Sequence, residues 1–317
     1  MRRVVLTTVV LASLFPPAAA AQDWPARPVR IVGTFPAGGA ADILARIAAE
    51  QLTAVFKQQF FVENRPGAGG AIGVQTVAHA EPDGYNLVQT SLSNAVLIPM
   101  INPKVGYETK DLAHIALIAG TPILFAVSKQ SDIKSLKDLV AKAKTKPLSY
   151  GTSGSPSVGQ LVALLFGIQA GLKFENIPYK GAAQSLIDIV ANHIDFGTPT
   201  VTSAAGQIRG GALTPLAVST AERMPDYPDI PTFKELGYDV VATNWFALAG
   251  PARLPPDIVA KINREVNAVM TRPESQRRMR EDGMLIYRMD AAAFRAFVDD
   301  EIARWRPVVE KAGMMEK

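Results

Sequence analysis

Apolar residues along this chain recur in two rhythms. Short runs rich in valine, isoleucine and leucine alternate with longer segments in which apolar positions return every three or four residues; the first pattern predicts buried strands and the second amphipathic helices. From the amino end, the runs Val29–Gly33, Phe60–Glu63 and Leu87–Thr90 predict strands, separated by helices from about Gly38 to Lys57 and from about Ala71 to His79. A second series predicts strands Ile123–Ser128, Leu148–Gly151, Glu175–Pro178, Ile194–Gly197 and Leu216–Ser219, with helices Ser135–Lys144, Ser157–Gln169 and Ala182–Ala191 between them. The last third predicts helices Pro256–Met270 and Ala291–Lys311, the first opened by a proline that suits an initial helical turn. Strands that alternate with helices predict mostly parallel sheets covered on both faces, and two such series predict two α/β lobes. The segments near Ala119–Pro122 and Ala242–Pro251 interrupt the periodicity and read as the two crossings between lobes. The first lobe then comprises residues 22–120 and 243–317, the second residues 121–242.

The amino terminus carries a different pattern. Arg2 and Arg3 precede the short apolar run Val4–Phe15, and Ala19-Ala20-Ala21 offers small residues for cleavage, so residues 1–21 read as a removable export signal. Its removal takes away two arginines and no acid, lowering the formal charge from +4 to +2. A chain so close to neutral gives no reason to expect nucleic acid or an anionic membrane as partner. Among 317 residues there is no cysteine, which excludes disulfides, a thiolate metal site and a thiol nucleophile.

Three strand-to-helix connections are built from small residues. Phe35-Pro36-Ala37-Gly38-Gly39 follows the first strand, Arg65-Pro66-Gly67-Ala68-Gly69-Gly70 the second, and Gly151-Thr152-Ser153-Gly154-Ser155-Pro156-Ser157 opens a helix in the second lobe. A helix start leaves its first N–H groups without intrahelical partners and carries partial positive charge, so a loop stripped of side chains there lets an anion reach the backbone. Gly38 and Gly39 taken alone serve equally well as a simple turn. Three such loops facing one cleft, at the carboxyl ends of strands, read as a small-anion site.

Other chemistries fit less well. Gly67, Gly69 and Gly73 approximate a dinucleotide fingerprint, but the next strand ends in Gln89-Thr90-Ser91 where an acid should hold the ribose. The second-lobe loop places Ser155 where a nucleophile elbow requires glycine, and His79, His114 and His193 have no motif joining them to a serine; all three read as surface or helix-end residues. No spacing of His, Asp and Glu suggests a metal, and no cofactor is expected. An exported hydrolase using the Thr152–Ser157 loop remains the alternative class.

The strings Trp24-Pro25-Ala26-Arg27-Pro28, Phe35-Pro36-Ala37-Gly38-Gly39-Ala40-Ala41-Asp42, Glu63-Asn64-Arg65-Pro66-Gly67-Ala68-Gly69-Gly70, Pro178-Tyr179-Lys180-Gly181, Asp229-Ile230-Pro231-Thr232 and Asn244-Trp245-Phe246 span the mature chain. In this order they resemble the substrate-binding proteins of tripartite tricarboxylate transporters, the Bug family. The resemblance implies a type II periplasmic binding protein fold, two α/β lobes joined by a two-strand hinge around a ligand cleft. It further implies a non-catalytic, monomeric periplasmic protein that delivers a small carboxylate to membrane permease subunits, with a sensory receptor as the alternative partner. Carried over residue by residue, it puts Phe35, Ala37, Gly38, Gly39, Asp42, Gly67, Ala68, Gly69 and Gly70 on the ligand from the first lobe, with Ser91 and Ser93 beside them. From the second lobe it brings Thr152, Ser153, Ser155, Tyr179, Gly181, Ala182, Asp195 and Thr198. Asp42 either bonds the N–H groups of its own loop or accepts from a ligand donor, and Trp245 is expected in the core. The chain departs from the family pattern at Ala41, Gln160, Leu164 and Gln184, so its ligand is not inferred from its relatives.

Overall fold

The computed structural model describes residues 24–315, so the expected export signal lies outside the described residues. In chain order the elements are β1 (Val29–Gly33), α1 (Ala40–Phe56), β2 (Phe60–Asn64), α2 (Ala71–Ala78), β3 (Asn86–Ser91), α3 (Ile98–Ile101) and β4 (Leu112–Pro122). Then follow β5 (Leu124–Ser128), α4 (Leu136–Ala143), β6 (Leu148–Thr152), α5 (Val158–Ala170), β7 (Phe174–Pro178), α6 (Ala182–Val190), β8 (Phe196–Gly197), α7 (Val201–Arg209) and β9 (Leu213–Val218). The chain returns through β10 (Thr243–Pro251) and closes with α8 (Pro256–Met270), α9 (Pro273–Glu281) and α10 (Ala291–Lys311).

These strands form two five-stranded sheets, ordered β2-β1-β3-β10-β4 and β7-β6-β8-β5-β9. In the first, β1 runs parallel to β2 and β3, and β10 runs antiparallel to β3 and β4. In the second, β6 is parallel to β7 and β8 while β5 is antiparallel to β8 and β9. Each sheet is therefore a parallel βαβ core with one reversed strand, β10 or β5, and beyond it an edge strand, β4 or β9, that again runs with the core.

The return strand corrects the sequence reading. Thr243–Pro251 was expected to be a connection, yet it is a nine-residue strand whose last seven residues are buried. Between β3 and β4, with both faces covered, it has no polar side to alternate with, so its sequence shows no strand period. For the same reason β4 extends over Leu112–Pro122, and Ala119–Pro122 belongs to a strand. Helices α7 and α9, which periodicity did not single out, complete the chain. His114, expected at the surface, lies inside β4 at 4% exposure, its ring edge against Phe294 with centroids 5.7 Å apart.

Aromatic side chains fill the centre of the second sheet's core. Phe125 of β5 is surrounded by Phe166, Phe196 and Phe233 with ring centroids 4.9–5.2 Å away, two of the three edge-to-face. Under the first sheet, Trp245 is buried as expected, and its Nε1–H donates to Glu301 of α10, which also accepts from Trp305 Nε1, each at 3.2 Å.

A single residue, Ile123, separates β4 from β5, and Ser219 ties this crossing to the return one. The Ile123 N–H donates to Ser219 Oγ at 2.9 Å and the Ser219 N–H to Ile123 O at 2.9 Å. Ser219 Oγ donates to Ala242 O at 2.6 Å, and the Ala242 N–H returns a bond to Ser219 O at 2.9 Å.

Candidate ligand-binding site between the two sheets

Because β1 and β2 are parallel neighbours, with Gly33 opposite Asn64, the loops that follow them leave side by side. Across the cleft, β7, β6 and β8 are parallel neighbours too, so the connections to α6, α5 and α7 emerge together. Five strand-to-helix connections thus converge, which is where open α/β sheets take their ligands.

The glycines have separate reasons to be there. Residues 67–70 all have positive φ, at 136°, 48°, 66° and 100°, a run of left-handed backbone that Ala68 alone among them adopts with a side chain. A Cβ on Gly70 would stand 2.7 Å from Asn94 Nδ2 and 3.2 Å from Thr34 Cβ, so the turn is locked into the buried Thr34–Asn94 contact. Gly39 differs: its φ of −91° suits any residue, and a Cβ there would meet Ala182 Cβ of the other sheet at an ordinary 3.8 Å.

That approach brings two helix starts together. Gly39 precedes α1, Gly181 precedes α6, and neither residue has a side chain with which to cap its helix. A Cβ on Gly181 would lie 3.2 Å from Pro36 of the opposite loop. In this arrangement the Ala40 N–H, in the first turn of α1, donates across the cleft to Ser203 Oγ at 3.2 Å. Ser203 is held in turn by Thr200, the residue capping α7, whose hydroxyl donates to Ser203 Oγ at 2.8 Å and accepts from the Ser203 N–H at 3.1 Å.

Between these loops lie two adjoining cavities of about 40 and 20 Å³ that share Ser153, Ala182, Thr200 and Asn244 as walls. Phe35, Gly39, Ser203 and Phe246 are among the other walls of the larger, and Gly159, Ser185 and Thr198 among those of the smaller. No charged side chain lines either one. A roomier groove of about 780 Å³ runs between residues 220–226 and 271–288, but neither the glycine loops nor the glycine-preceded helix starts reach it.

Of the residues singled out from the sequence, Phe35, Gly39, Ser153, Ala182 and Thr198 line the cavities, and Gly181 lies at the cross-cleft contact. Gly38 stands 4.0 Å from Ala183 across the cleft when given a Cβ, and Gly69 is 3.8 Å from Ser155 O in the same way, so both loops close the rim. Gly67, Ala68 and Gly70 shape that rim without walling the cavities, and Ala37 is exposed beside them.

Asp42 acts within its own lobe. Its carboxylate accepts from the Gly38 N–H at 3.2 Å, Arg46 Nε at 3.1 Å and Asn64 Nδ2 at 3.0 Å, so it braces the first glycine loop against β2 and lines neither cavity. Burial pushes its carboxyl up, but the bonds from Arg46, Asn64 and Gly38 outweigh this and hold it below its ordinary value.

Several hydroxyls are occupied elsewhere. Thr152 Oγ1 donates to Gly154 O at 2.8 Å, Ser155 Oγ to Gln160 at 2.9 Å, and Tyr179 OH to Asp188 at 2.5 Å; none of the three lines the cavities. Burial, with Asp188 beside it, pushes the Tyr179 phenol up to about 12. Ser91 and Ser93 are buried and lie outside both linings. Asp195 immediately precedes β8, at the end away from the loops: it accepts from Ser149 N and Oγ at 3.0 and 3.1 Å, because β8 pairs Phe196 with Tyr150, well before Thr152 ends β6.

Sequence reasoning missed Thr200, Ser203 and Asn244. A helix-capping Thr three residues before a Ser is a visible signal for α7. Asn244 carries a weaker one, a lone amide opening an otherwise apolar run.

A sequence model described as the tripartite tricarboxylate transporter family receptor matches residues 44–314. Protein BugT of Bordetella pertussis is 30% identical over 298 residues, 92% of this chain and 91% of that protein. Among solved structures, R. palustris Rpa4515 with adipate is similar at TM-score 0.89 and 31% identity, over 92% of this chain and 99% of that one. MatC from Rhodopseudomonas palustris, with bound malate, is similar at TM-score 0.85 and 28% identity, over 90% of this chain and 100% of that one. With that match running through both sheets, this chain belongs to the tripartite tricarboxylate transporter receptor family, in company with the Bug proteins, and is a periplasmic-type solute-binding protein and not an enzyme.

Proposed function

We propose that the chain captures a small organic carboxylate between its two lobes and hands it to the permease subunits of a tripartite tricarboxylate transporter. It does so as a monomer in the periplasm, after loss of residues 1–21. We take the lobes as 22–120 with 243–317, and 121–242. The observation that carries this reading is the pair of glycine-preceded helix starts, α1 and α6, facing each other over a cavity with no charged wall. Main-chain N–H groups and two helix dipoles there favour an anion from both sides. The adipate and malate bound by the related structures are anions of this kind.

The energetics allow it without an arginine. Four to six hydrogen bonds to a charged acceptor at about 1.5 kcal/mol each sum to roughly 6–9 kcal/mol, and micromolar binding needs about 8 kcal/mol. Gly39 and the first turn of α1 would supply donors from one lobe, and the starts of α5, α6 and α7 from the other.

A thermal-shift screen of C2–C6 mono- and dicarboxylates against their uncharged amides tests the reading. At least one acid is expected to raise the melting temperature by several degrees while its amide does nothing. Equal response to acid and amide, or none across the panel, would overturn it.

A further inference from the structure

Thr34 follows β1 and immediately precedes Phe35, and it is fully buried together with Gln89 of β3 and Asn94 of the helical turn after β3. Two backbone groups fix how the amides face it. The Ser91 N–H donates to Asn94 Oδ1 at 2.8 Å, which turns Asn94 Nδ2 toward Thr34, and Gln89 Nε2 donates to Thr90 O at 2.6 Å, which turns Gln89 Oε1 toward it. Thr34 Oγ1 accordingly accepts from Asn94 at 2.9 Å and donates to Gln89 at 2.9 Å, two opposite roles that one hydroxyl fills at once. The same side chain packs against the second glycine loop and the helix it opens: a Cβ on Gly70 would stand 3.2 Å from Thr34 Cβ, and one on Gly73 3.1 Å from Thr34 Cγ2.

Resting on the carboxylate reading above, we propose that Thr34 is a positioning residue for the ligand: its hydroxyl sets where the first glycine loop and the start of α1 stand. Phe35, Pro36, Gly39, Ala40 and Ala41, which follow Thr34 in the chain, wall the larger cavity, while Thr34 itself lines neither. The root of this loop is held from two sides. Asn64 Nδ2 donates to Phe35 O at 2.8 Å and ties it to β2, and Thr34 ties it to β3. The Asn64 brace is only half-buried, so water can replace it, whereas the Thr34 brace is sealed from water. Loss of the hydroxyl strands a buried donor on Asn94 and a buried acceptor on Gln89, each at the cost of its lost hydration. The strain is relieved by the loop root moving off β3, which displaces the start of α1. A ligand must then restore the parent arrangement, and its apparent affinity falls by the fraction of molecules that still hold it.

Calorimetry with succinate, malate and adipate tests this on the parent and on variants. Thr34→Val keeps the shape and removes the hydroxyl, and is expected to weaken the best-bound acid about tenfold or more. Thr34→Ser keeps the hydroxyl without the methyl and should stay within about threefold of the parent. Phe125→Leu, in the core of the other sheet, lowers the melting temperature without reaching either brace, and it too should stay within about threefold, which separates loss of stability from loss of position. If Thr34→Val does not fold, Gln89→Leu, which removes the acceptor and keeps the Asn94 bond, provides the test, with an expected loss of about fivefold or more. Parent-like affinity in Thr34→Val, or in Gln89→Leu where it stands in, would overturn the role of Thr34 and leave the carboxylate reading standing. So would an equal loss in Thr34→Ser or Phe125→Leu. Failure of the parent to bind any of the three acids would overturn both together.

Discussion

Gly39 and Gly70 sit at neighbouring loop ends for different physical reasons, and substitution separates them. Alanine at Gly70 must adopt a φ of +100° and push into Asn94, so Gly70→Ala is expected to lower unfolding stability by about 1–3 kcal/mol. Alanine at Gly39 meets no such strain, and Gly39→Ala should stay within about 1 kcal/mol of the parent. Its methyl nevertheless covers amides at the start of α1, so affinity for the carboxylate should fall about tenfold or more. Urea denaturation and calorimetry on both variants check the pair; equal effects on stability would refute the distinction. The glycine clusters were legible in the sequence because a left-handed backbone restricts residue type. Asn244 and Ser203 were not, because a lone polar residue announces its neighbours only once the two sheets are brought together. Asp42 was visible as important, but its partners Arg46 and Asn64, one turn and one strand away, decide that it braces the loop.

At the scale of elements, β4 and β10 show where periodicity fails. The other eight strands were found from their apolar runs, whereas β10 and the end of β4, buried, paired with each other and rich in Ala and Gly, read as connections. Burial of β4 has a titration consequence through His114. Neither ring nitrogen has a partner of hydrogen-bond geometry, and burial pushes the imidazole down to about 4, with the Arg295 charge adding to it and the pull of the Thr109 backbone too weak to offset it. The unfolded chain, with an ordinary value near 6.5, binds this proton more readily than the folded one. Stability is therefore full above pH 6.5 and is lost as pH falls toward 4, by roughly 3 kcal/mol at most. His114→Leu, which keeps an apolar contact with Phe294, should flatten that part of the profile. Stability measured by urea titration from pH 7 to pH 4 checks it, and an unchanged slope would assign the loss to other groups.

Away from the crossings, where Arg304 donates to Val241 O at 2.7 Å, hydrogen bonds join the lobes at two places in the arrangement seen here. One is the Ala40–Ser203 bond in the cleft. The other is at the turn after α9, where Arg209 of α7 donates to Glu281 O at 2.9 Å, lies 3.4 Å from Asp282, and is joined by Tyr227 OH at 2.7 Å from the same carbonyl. Arg209 is half exposed, so its ion pair contributes at most about 1 kcal/mol. Arg209→Ala is expected to raise the radius of gyration in small-angle scattering and to weaken ligand binding two- to fivefold without touching the site. A variant as compact as the parent, with unchanged affinity, would show that this contact does not hold the lobes together. The two-lobe plan itself was readable from the doubled strand–helix series, since it depends on many residues at once.

The Ser219 clasp limits how the halves can swing. With the outgoing and returning backbone pinned to each other within a residue of Ile123, sliding of one half past the other at this point would break several bonds at once. Such a joint works like a short axle, because small torsional changes beside it become larger displacements at a distance.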